Sequence, residues 1–448
     1  SFYGYTGAPS GRLYEPRLAN SVTSVGRMAI ALTKETAESL VDCRVVGGDS
    51  VTADRFVTLK KSDGNIVIRN MESLFDELSS NGIISHGEKE YAVCKGEYFA
   101  LSFDTDLNPV WNSIRCVMRH KNSKRIYRVI QKYGETRVTE DHSIMTYLDD
   151  RLIETKPTDI IGKRKIASII ENIDHDSNNI IDLYKYIKHY KYGIVYKKRE
   201  KIVCFKLVDN GKRISFGWTN RKNEVSIKRY ISGNDLEKLC RLMGAFVSEG
   251  AASNHLTNSC GNAIFSISCG DEEWLEQLRD DYFSLVTNMI YPNILRTNKE
   301  LKYYKGHEYE DHTLSLRIGN QFTCALFSAL CGQGCRNKKL PDFVFNIDNR
   351  YQQIIYENML KGDGSIDKKG RISYSSLSLE LISDLTLLLN MMNKKYSLSY
   401  NQSKGEYRLR ETYSHDDNQV STKIIEEEYD GYVYDITVDN DHMFVDSC

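Results

Sequence analysis

A chain of 448 residues is long enough for about three domains of ordinary size and excludes a single small module. Hydrophobic residues make up 41% and charged residues 27%, a balance that excludes long disordered or collagen-like regions. Lysine and arginine total 60 and aspartate and glutamate 61, so the net charge of −1 indicates a nucleic-acid partner only if the charges are unevenly distributed.

The sequence also predicts where the protein works. No apolar run approaches the roughly 20 residues of a membrane span, and the first residues lack the pattern of a secretory signal. Eleven cysteines, an odd number spread along the chain, suit free thiols better than a disulfide framework. Cys331 and Cys335 have no second Cys or His pair nearby, which disfavours structural zinc. We expect an intracellular protein, cytoplasmic or nuclear, that is not secreted and has no membrane partner.

Residues 1–49 differ in character from the rest of the chain. The segment Ser1–Gly7 is rich in glycine and aromatic residues, Ala19–Leu40 has the apolar spacing of a helix, and the stretch ends in Val46-Gly47-Gly48-Asp49-Ser50. It resembles the palm and fingers of family B DNA polymerases, in which a Ser-x-Tyr-Gly segment and a helix precede a Tyr-Gly-Asp-Thr-Asp-Ser turn. The turn here is shorter and lacks a carboxylate. Because phosphoryl transfer needs carboxylates from distant strands, we expect a polymerase fragment without polymerase activity.

After Ser50 the periodicity becomes that of β-strands. Phe56–Leu59 and Asn65–Ile68 flank a Lys61–Gly64 turn and predict a hairpin. Further strands are predicted at Tyr91–Cys94, Arg125–Ile130 and Thr136–Thr139 and within Tyr429–Val445, and helices at Asn234–Asn254, Glu272–Met289 and Leu381–Met392. Helices between two β segments predict a β domain that is interrupted by an inserted α/β domain.

Positive charge is concentrated between residues 185 and 229. This segment contains fourteen Lys or Arg and only three Asp or Glu, a local net charge of +11. Tyrosines and Trp218 are interleaved with the basic residues. Rings beside cations suit a phosphate backbone, although a solvated basic face explains the charge as well. The candidate DNA-contacting residues are Lys188, Lys191, Lys197, Lys198, Arg199, Arg221, Lys222, Lys228 and Arg229.

Three short motifs occur in order on the predicted β segments. They are Ser50 to Val57, Val138 to Ile144 with a Thr-x-x-His pattern, and Gly431 to Val438 continuing to His442–Val445. Together they resemble the splicing blocks of inteins, and position 50 falls where inteins interrupt the polymerase turn. The resemblance implies an all-β, horseshoe-like Hint splicing domain.

The resemblance also implies roles for individual residues. The Ser50 hydroxyl would attack the carbonyl of Asp49, an acyl shift that needs a proton acceptor and a donor for the leaving nitrogen. Thr139 and His142 would hold and protonate that amide, and Asp435 and His442 would serve later steps. Taken alone, His142 is better explained as an ordinary hydrogen-bonded interior histidine, but Thr139 before it and Ser50 upstream reverse that preference.

Two departures from the intein pattern lead to a further expectation. Arg55 stands where the family usually has Thr, and no His-Asn pair follows the third motif. The resemblance implies that release of the downstream segment needs a terminal Asn, for which Asp446 would be a poor replacement. We therefore expect that this chain does not complete splicing.

The predicted insert carries two further motifs. Leu242–Gly250 and Tyr356–Gly364 resemble the paired helices of LAGLIDADG homing endonucleases, and Glu249 and Asp363 close the two motifs 114 residues apart. The resemblance implies that small residues let the helices approach closely and that the two acids meet, bind Mg²⁺ and cut one DNA strand each. Two ordinary helices that end at glycine are the alternative.

A lysine between the two motifs is a further candidate. The segment Lys338–Val344 resembles the family block in which a lysine near the scissile phosphate stabilises developing negative charge. Lys339 is the candidate and Lys338 the alternative, and two surface lysines without a role remain an open explanation.

These observations predict a multidomain chain that resembles viral and archaeal intein-containing polymerases. Its parts are a polymerase fragment (1–49), the Hint domain (50–150 and 411–448), a basic DNA-contacting insertion (151–235) and an endonuclease of αββαββ repeats (236–410). The implied protein is a monomer with internal pseudo-twofold symmetry that cuts a long double-stranded site with Mg²⁺. A splicing and DNA-binding element with a decayed nuclease is the alternative, and a working DNA polymerase is disfavoured.

Overall fold

The computed structural model describes residues 50–448 except 104–107, 149–150, 161–172, 174–176, 190–192, 197–200, 205, 218–224, 254–262, 297–300, 305–306, 311, 413–421, 440–443 and 448. Residues 1–49, the predicted polymerase fragment, lie outside the described residues. The chain divides into two compact units, Ser1–Asp49 and Ser50–Cys448, and the division falls at the predicted splice junction. Among the described residues, no helix is both long and apolar enough to cross a membrane.

The first part of the described chain is built mainly of strands. Its elements are β1 (Val51–Thr52), β2 (Phe56–Lys61), β3 (Ile66–Asn70), α1 (Met71–Ser79), β4 (Ile83–His86), β5 (Lys89–Val93), β6 (Tyr98–Phe103), β7 (Pro109–Lys121), β8 (Ile126–Gln131), β9 (Gly134–Thr139), β10 (Ile144–Leu148), β11 (Arg151–Thr155) and a 3₁₀ helix at Pro157–Asp159. The basic segment adds β12 (Ile181–Asp182), α2 (Tyr184–Ile187), β13 (Gly193–Tyr196), β14 (Lys201–Cys204), β15 (Lys206–Asp209), β16 (Arg213–Gly217), β17 (Ser226–Lys228) and β18 (Tyr230–Ile231).

Helices alternate with strands in the next part, and the chain ends in strands again. The elements are α3 (Gly233–Glu249), β19 (Gly250–Ser253), β20 (Ile264–Cys269), α4 (Glu272–Leu285), β21 (Val286–Thr287), β22 (Ile294–Arg296), β23 (Leu301–Tyr304), β24 (His307–Glu310), β25 (Leu314–Ile318), α5 (Gln321–Cys331), a 3₁₀ helix at Asp342–Asn346, α6 (Asn349–Asp363), β26 (Gly364–Ile366), β27 (Ile372–Ser376), α7 (Leu379–Met391), β28 (Tyr396–Asn401), β29 (Glu406–Glu411), β30 (Lys423–Glu427), β31 (Tyr432–Val438) and β32 (Asp446–Ser447). We call β1–β11 with β30–β32 the β region, and α3–β29 the repeat region.

Strands from both ends of residues 50–448 share one large sheet. Its order is β3-β2-β6-β7-β31-β1-β9-β8-β30, so β31 lies between two strands that come from the beginning of the unit. The predicted hairpin is present as β2 and β3, and its turn uses Gly64 at φ 87°, a left-handed conformation that favours glycine. One apolar cluster fills this region and includes Val57, Phe75 and Tyr434. The β region therefore forms only when the chain returns after the repeat region.

The repeat region runs through the same succession of elements twice. A helix, a hairpin, a second helix and two further strands lead from α3 to β25, with extra short strands, and again from α6 to β29. Each half has a four-stranded antiparallel sheet, in the order β19-β20-β25-β22 and β26-β27-β29-β28. The two halves thus share the strand order first, second, fourth, third.

The first helices of the two halves pack directly against each other. A Cβ added at Gly244 of α3 would lie 2.4 Å from the carbonyl oxygen of Ile355 in α6. A Cβ at Gly362 of α6 would lie 2.5 Å from the Cβ of Ser248 in α3. Contacts this short leave room only for glycine, so the small residues of the two motifs set the close approach of the helices.

The β region and the repeat region are also packed together. Phe56, Ile66 and Ile68 of the β region belong to the same buried cluster as the leucines of α7. The basic segment joins this cluster too, because β17 pairs with β21 of the repeat region. The basic segment and the repeat region are therefore not an independently packed domain, because they share a hydrophobic core with the β region.

Candidate active sites

The register of β1 brings three polar residues into one row. The partners of Val51 on β9 and β31 are the residues next to Thr139 and Asp435. Continuing both antiparallel registers by one residue places Ser50 between Thr139 and Asp435, and such cross-strand neighbours have Cβ atoms about 5 Å apart. The Ser50 amide donates to Thr139 Oγ1 at 3.3 Å, and the Thr139 amide donates to the Ser50 carbonyl at 2.9 Å. We call these three residues the serine centre.

The serine centre is closed to solvent. Ser50 and Thr139 are 0% exposed and Asp435 is 7% exposed. Ser50 Oγ has no hydrogen-bond partner within the part of the chain that the structure describes. A buried hydroxyl without a partner costs about 1–3 kcal/mol, so the fold tolerates this cost at the predicted nucleophile.

Of the two predicted catalytic histidines, His142 lies beside the serine centre. The His142 amide donates to the Thr139 carbonyl at 3.0 Å, which holds His142 in the turn after β9 and next to the serine centre. His442 lies outside the described residues.

Arg55 forms a second feature of this region, and from the sequence it was only a departure from the intein pattern. Its side chain is fully buried, forms an ion pair with Asp54 at 3.0 Å and donates to the Glu135 carbonyl at 3.2 Å. Burial alone would raise the pKa of Asp54, but Arg55 and Arg137 outweigh it and lower that pKa to about 2. Arg55 thus fixes the turn between β1 and β2 from inside.

The last residues of α3 and α6, Glu249 and Asp363, lie near each other. A Cβ added at Gly362 would lie 2.9 Å from Glu249 Cγ, so the end of α3 touches the residue that precedes Asp363. Glycine comes directly after each acid and starts the next strand, and an added Cβ at Gly250 or Gly364 would collide with its own helix at 2.3 or 2.2 Å. The sequence-predicted meeting of the two acids is therefore present at the ends of crossing helices.

Electrostatics agree with this proximity. Burial first, and then the Glu249 charge, raise the pKa of Asp363 to about 6. Burial also raises the pKa of Glu249. Glu249 is half-buried and Asp363 is exposed, so solvent reaches the pair.

Two further polar groups tie the helix ends together. Ser248 Oγ donates to the Met359 carbonyl at 2.9 Å and lies 3.2 Å from the hydroxyl of Tyr374. Tyr374 is buried on β27. Sequence reasoning missed this pair, although a serine inside an otherwise apolar motif is a signal of such a contact.

The two candidate lysines lie in different surroundings. Lys339 is partly exposed and forms an ion pair with Glu380 at 3.6 Å. Lys338 is 4% exposed, and its Nζ donates to the carbonyls of Phe246 at 2.6 Å and Gly250 at 2.8 Å. The structure therefore brings Lys338, the alternative, to the end of α3 and places Lys339 elsewhere.

Lys338 is also coupled to the acids by its charge. Burial lowers the pKa of Lys338 to about 8, and Asp363 acts in the opposite direction. In turn, the Lys338 charge lowers the pKa of Asp363 against the effect of burial. We call Glu249, Asp363 and Lys338 the acid centre.

The donor set of the acid centre fits a hard divalent cation in part. The described residues contain no group of three or more His, Cys, Asp and Glu side chains that could hold a metal ion. Two carboxylates nevertheless suit Mg²⁺, which is commonly held by one or two protein carboxylates with waters and substrate phosphates as the other ligands. A cation there would relieve the mutual repulsion that raises the pKa of Asp363.

The predicted DNA-contacting residues are only partly described. Lys191, Lys197, Lys198, Arg199, Arg221 and Lys222 lie outside the described residues. Lys188 is exposed, and Lys228 is exposed with an ion pair to Asp235 at 2.7 Å. Arg229 is tied by Asp182 at 2.8 Å and Asp209 at 2.6 Å, so a phosphate would have to compete with two carboxylates for its guanidinium.

Comparison with known proteins adds an independent observation. Residues 1–60 match the model of DNA polymerase family B. The DNA polymerase of Thermococcus hydrothermalis is 24% identical over 99% of this chain, and the matched part is 26% of that polymerase. The chain thus spans about a quarter of the length of the curated relatives it matches. These matches confirm the resemblance to family B DNA polymerases that was drawn from the sequence.

Solved structures similar to parts of the chain are of two kinds. The transcription factor IIB Mvu mini-intein is 22% identical, with 29% of this chain and 73% of that chain covered and a TM-score of 0.26. The homing endonuclease I-DmoI, in complex with DNA and Mn, is 12% identical, with 40% and 91% covered and a TM-score of 0.28.

Proposed function

We propose that residues 50–448 form an intein that carries a site-specific DNA endonuclease and interrupts a family B DNA polymerase. The observation that carries this proposal is the acid centre. Glu249 and Asp363 come from motifs 114 residues apart and meet at the ends of two helices whose contact requires glycine. Two ordinary glycine-capped helices would have no reason to bring two acids together at a solvent-accessible point.

The acid centre supports hydrolysis of a phosphodiester. Mg²⁺ held there would supply Lewis-acid stabilisation of the phosphate charge. Glu249 and Asp363 would hold the cation as carboxylates. Because the two acids come one from each half of the repeat region, each half would direct one cut, and a monomer with pseudo-twofold symmetry would make a double-strand break.

Lys338 is our proposed phosphate-stabilising lysine in this centre. Its amine is fixed by the Phe246 and Gly250 carbonyls, so its positive charge stands beside the acids without reorganisation during the reaction. With a pKa of about 8 it is mostly protonated at neutral pH. Lys339 lies in a surface ion pair and takes no such part.

Recognition of a long duplex would use the two four-stranded sheets together with basic residues. Strands fit the major groove, and phosphate contacts by Lys188, Lys228 and the other candidate cations would make affinity fall steeply with salt. The partner is therefore double-stranded DNA.

The serine centre supports the splicing part of the proposal. Ser50 is the nucleophile, Thr139 contacts its backbone on both sides, and Asp435 and His142 are the nearby groups for proton transfer. His442 completes the set by resemblance. Ser50, Thr139, His142 and Asp435 lie on strands or turns of the β region, so the proposed reaction needs no other molecule.

The deciding experiment uses the full chain and a duplex that carries an uninterrupted family B polymerase gene. We expect Mg²⁺-dependent cutting, and we expect Asp363→Asn to lower the rate at least about 1,000-fold while DNA affinity stays within about twofold. The matched control is Asp367→Asn, because the pKa of Asp367 is lowered to about 2 by its hydrogen bond to Arg371 and not by the centre.

The outcomes separate the alternatives. Cutting by Asp363→Asn at the wild-type rate would refute the assignment. Specific binding without cutting by the wild type would support the decayed-nuclease alternative instead. Primer extension by the chain would support the polymerase alternative.

A further inference from the structure

The lysine segment of the repeat region is attached to the β region by an asparagine. The 3₁₀ helix at Asp342–Asn346 lies against the edge of β3. Asn346 Oδ1 accepts from the Ile66 amide at 2.7 Å, and Asn346 Nδ2 donates to the Ile66 carbonyl at 2.8 Å. The side-chain amide thus takes the place of a neighbouring strand and satisfies both backbone groups of an edge residue.

An arginine next to this contact forms a two-pronged ion pair. Arg69 Nη1 and Nη2 donate to the two carboxylate oxygens of Asp342, each at 2.8 Å. Its Nε donates to Glu77 of α1 at 2.7 Å, so the guanidinium plane is held from the other side. The Arg69 side chain is 18% exposed and that of Asp342 30%, which shields the pair from full solvent screening. We call Arg69, Asp342 and Asn346 the clamp.

Two members of the clamp, Asp342 and Asn346, follow Lys338 by four and eight residues. Between them, Ser378 Oγ of the repeat region donates to the Lys338 carbonyl at 2.6 Å, and the Leu340 amide donates to Asp384 at 2.7 Å. The segment is therefore held by the repeat region along its length, where Gln352 Nε2 also donates to the Val344 carbonyl at 3.0 Å, and by the β region at Asp342 and Asn346. The β region thus adds a second set of contacts at the end away from Lys338.

We propose that Arg69 is a positioning residue for Lys338, so that the β region, which carries the splicing residues, sets the cutting rate of the acid centre. This inference rests on the proposed nuclease function. Arg69 pairs with Asp342 and Glu77 and not with Glu249 or Asp363, so it would act through Asp342 and the segment that leads back to Lys338. A displacement of about 1 Å at a reacting group is enough to lower a rate by up to about a hundredfold.

The test is cleavage kinetics of full-length variants at a temperature well below unfolding. We expect Arg69→Ala and Asp342→Ala each to lower kcat about tenfold, with KM for the duplex within about twofold. The double variant should also lose about tenfold and not about a hundredfold, because both changes remove the same ion pair. Arg69→Lys keeps the positive charge but cannot form the two parallel hydrogen bonds to Asp342, so it should recover part of the rate.

The matched control is Arg119→Ala. Arg119 lies on the same sheet, has a similarly shielded side chain (23% exposed) and pairs with Glu90 at 2.6 Å, away from the repeat region. Its loss should leave kcat unchanged. An unchanged kcat in Arg69→Ala, an equal loss in Arg119→Ala, or multiplied losses in the double variant would overturn the inference.

A second readout does not depend on cutting. Hydrogen exchange at residues 338–346 should be faster in Arg69→Ala than in the wild type and unchanged in Arg119→Ala. If the wild type cuts no DNA, the proposed function fails, and this measurement still decides whether the clamp orders the lysine segment. Equal exchange in all three proteins would overturn the inference whatever the nuclease does.

Discussion

The serine centre and the acid centre are built in opposite ways within one compact unit. The serine centre lies on three neighbouring strands, β1, β9 and β31, and is buried. The acid centre lies where two helices end, and Asp363 is exposed. The difference agrees with the proposed substrates: a reaction on the chain's own peptide bond would need no entrance, whereas a DNA duplex would have to approach from outside.

The two centres also differ in the electrostatic surroundings of their polar groups. At the serine centre, a neutral hydroxyl is buried without a partner among the described residues, and the strand register supplies its neighbours. At the acid centre, two carboxylates repel each other and a buried lysine balances them only in part. The serine centre is destabilised by a buried hydroxyl that makes no hydrogen bond among the described residues, and the acid centre by two neighbouring negative charges. A bound cation or DNA would change the electrostatic energy of the acid centre only.

The largest expected effect tests the buried side of this contrast. Ser50→Ala removes the hydroxyl that we propose attacks the Asp49 carbonyl, so ester formation at the 49–50 bond should stop completely. Hydroxylamine cleaves an ester and releases a fragment of 49 residues, which mass spectrometry detects. The exposed Ser62 in the β2–β3 turn provides the control Ser62→Ala. Equal release from Ser50→Ala and wild type would show that Ser50 is only structural.

The next effect distinguishes the adjacent lysines. Lys338→Met should lower the cutting rate about a hundredfold, because a fixed positive charge beside the phosphate is lost, and Lys339→Met should change it less than about twofold. In the wild type the rate should also fall above pH 8, where Lys338 loses its proton, and Lys339→Met should keep this alkaline limb. Equal losses in both variants would contradict the assignment of Lys338.

The contrast also shows how far the sequence could predict the structure. The β2–β3 hairpin and the helices α3, α4 and α7 are confirmed, because apolar periodicity and a glycine turn specify them locally. The expected ends of α3 at Asn254 and α4 at Met289 were wrong, because the strands β19 and β21 begin at Gly250 and Val286. The meeting of Glu249 and Asp363 was expected from two motifs that carry small residues for helix contact, and it is present. Their roles in cutting stay predictions.

Other features depended on the fold beyond the motif. Lys338 and Lys339 are neighbours in sequence, and only the folded structure shows that Lys338 is the one that is buried and donates to the Phe246 and Gly250 carbonyls. Arg229 looked like a free cation in the sequence, but Asp182 and Asp209, 47 and 20 residues earlier, lie beside it. Pairings between distant residues leave no local periodicity, so composition alone could not place them.

The smallest expected effect measures the charge stored at the acid centre. The pKa of Asp363 is raised to about 6 from an ordinary 3.8, so the folded protein holds this proton more tightly than the unfolded chain, and stability is lost as pH rises through about 6. Asparagine cannot ionise. Metal-free Asp363→Asn should therefore be more stable than wild type at pH 8, and the difference should vanish near pH 4.

The size of this difference depends on the shift and on exposure. A shift of about two pKa units corresponds to about 3 kcal/mol, which we reduce to about 1 kcal/mol because solvent screens an exposed carboxylate. Urea unfolding in a chelator at pH 4, 6 and 8 measures it, and Asp367→Asn should change stability in the opposite direction because Arg371 lowers the pKa of Asp367 to about 2. Equal stability of Asp363→Asn and wild type at pH 8 would mean that Asp363 ionises without cost. The acid centre would then be no more destabilised by its negative charges than an ordinary protein surface. The two centres would differ only in burial and in the elements that carry them.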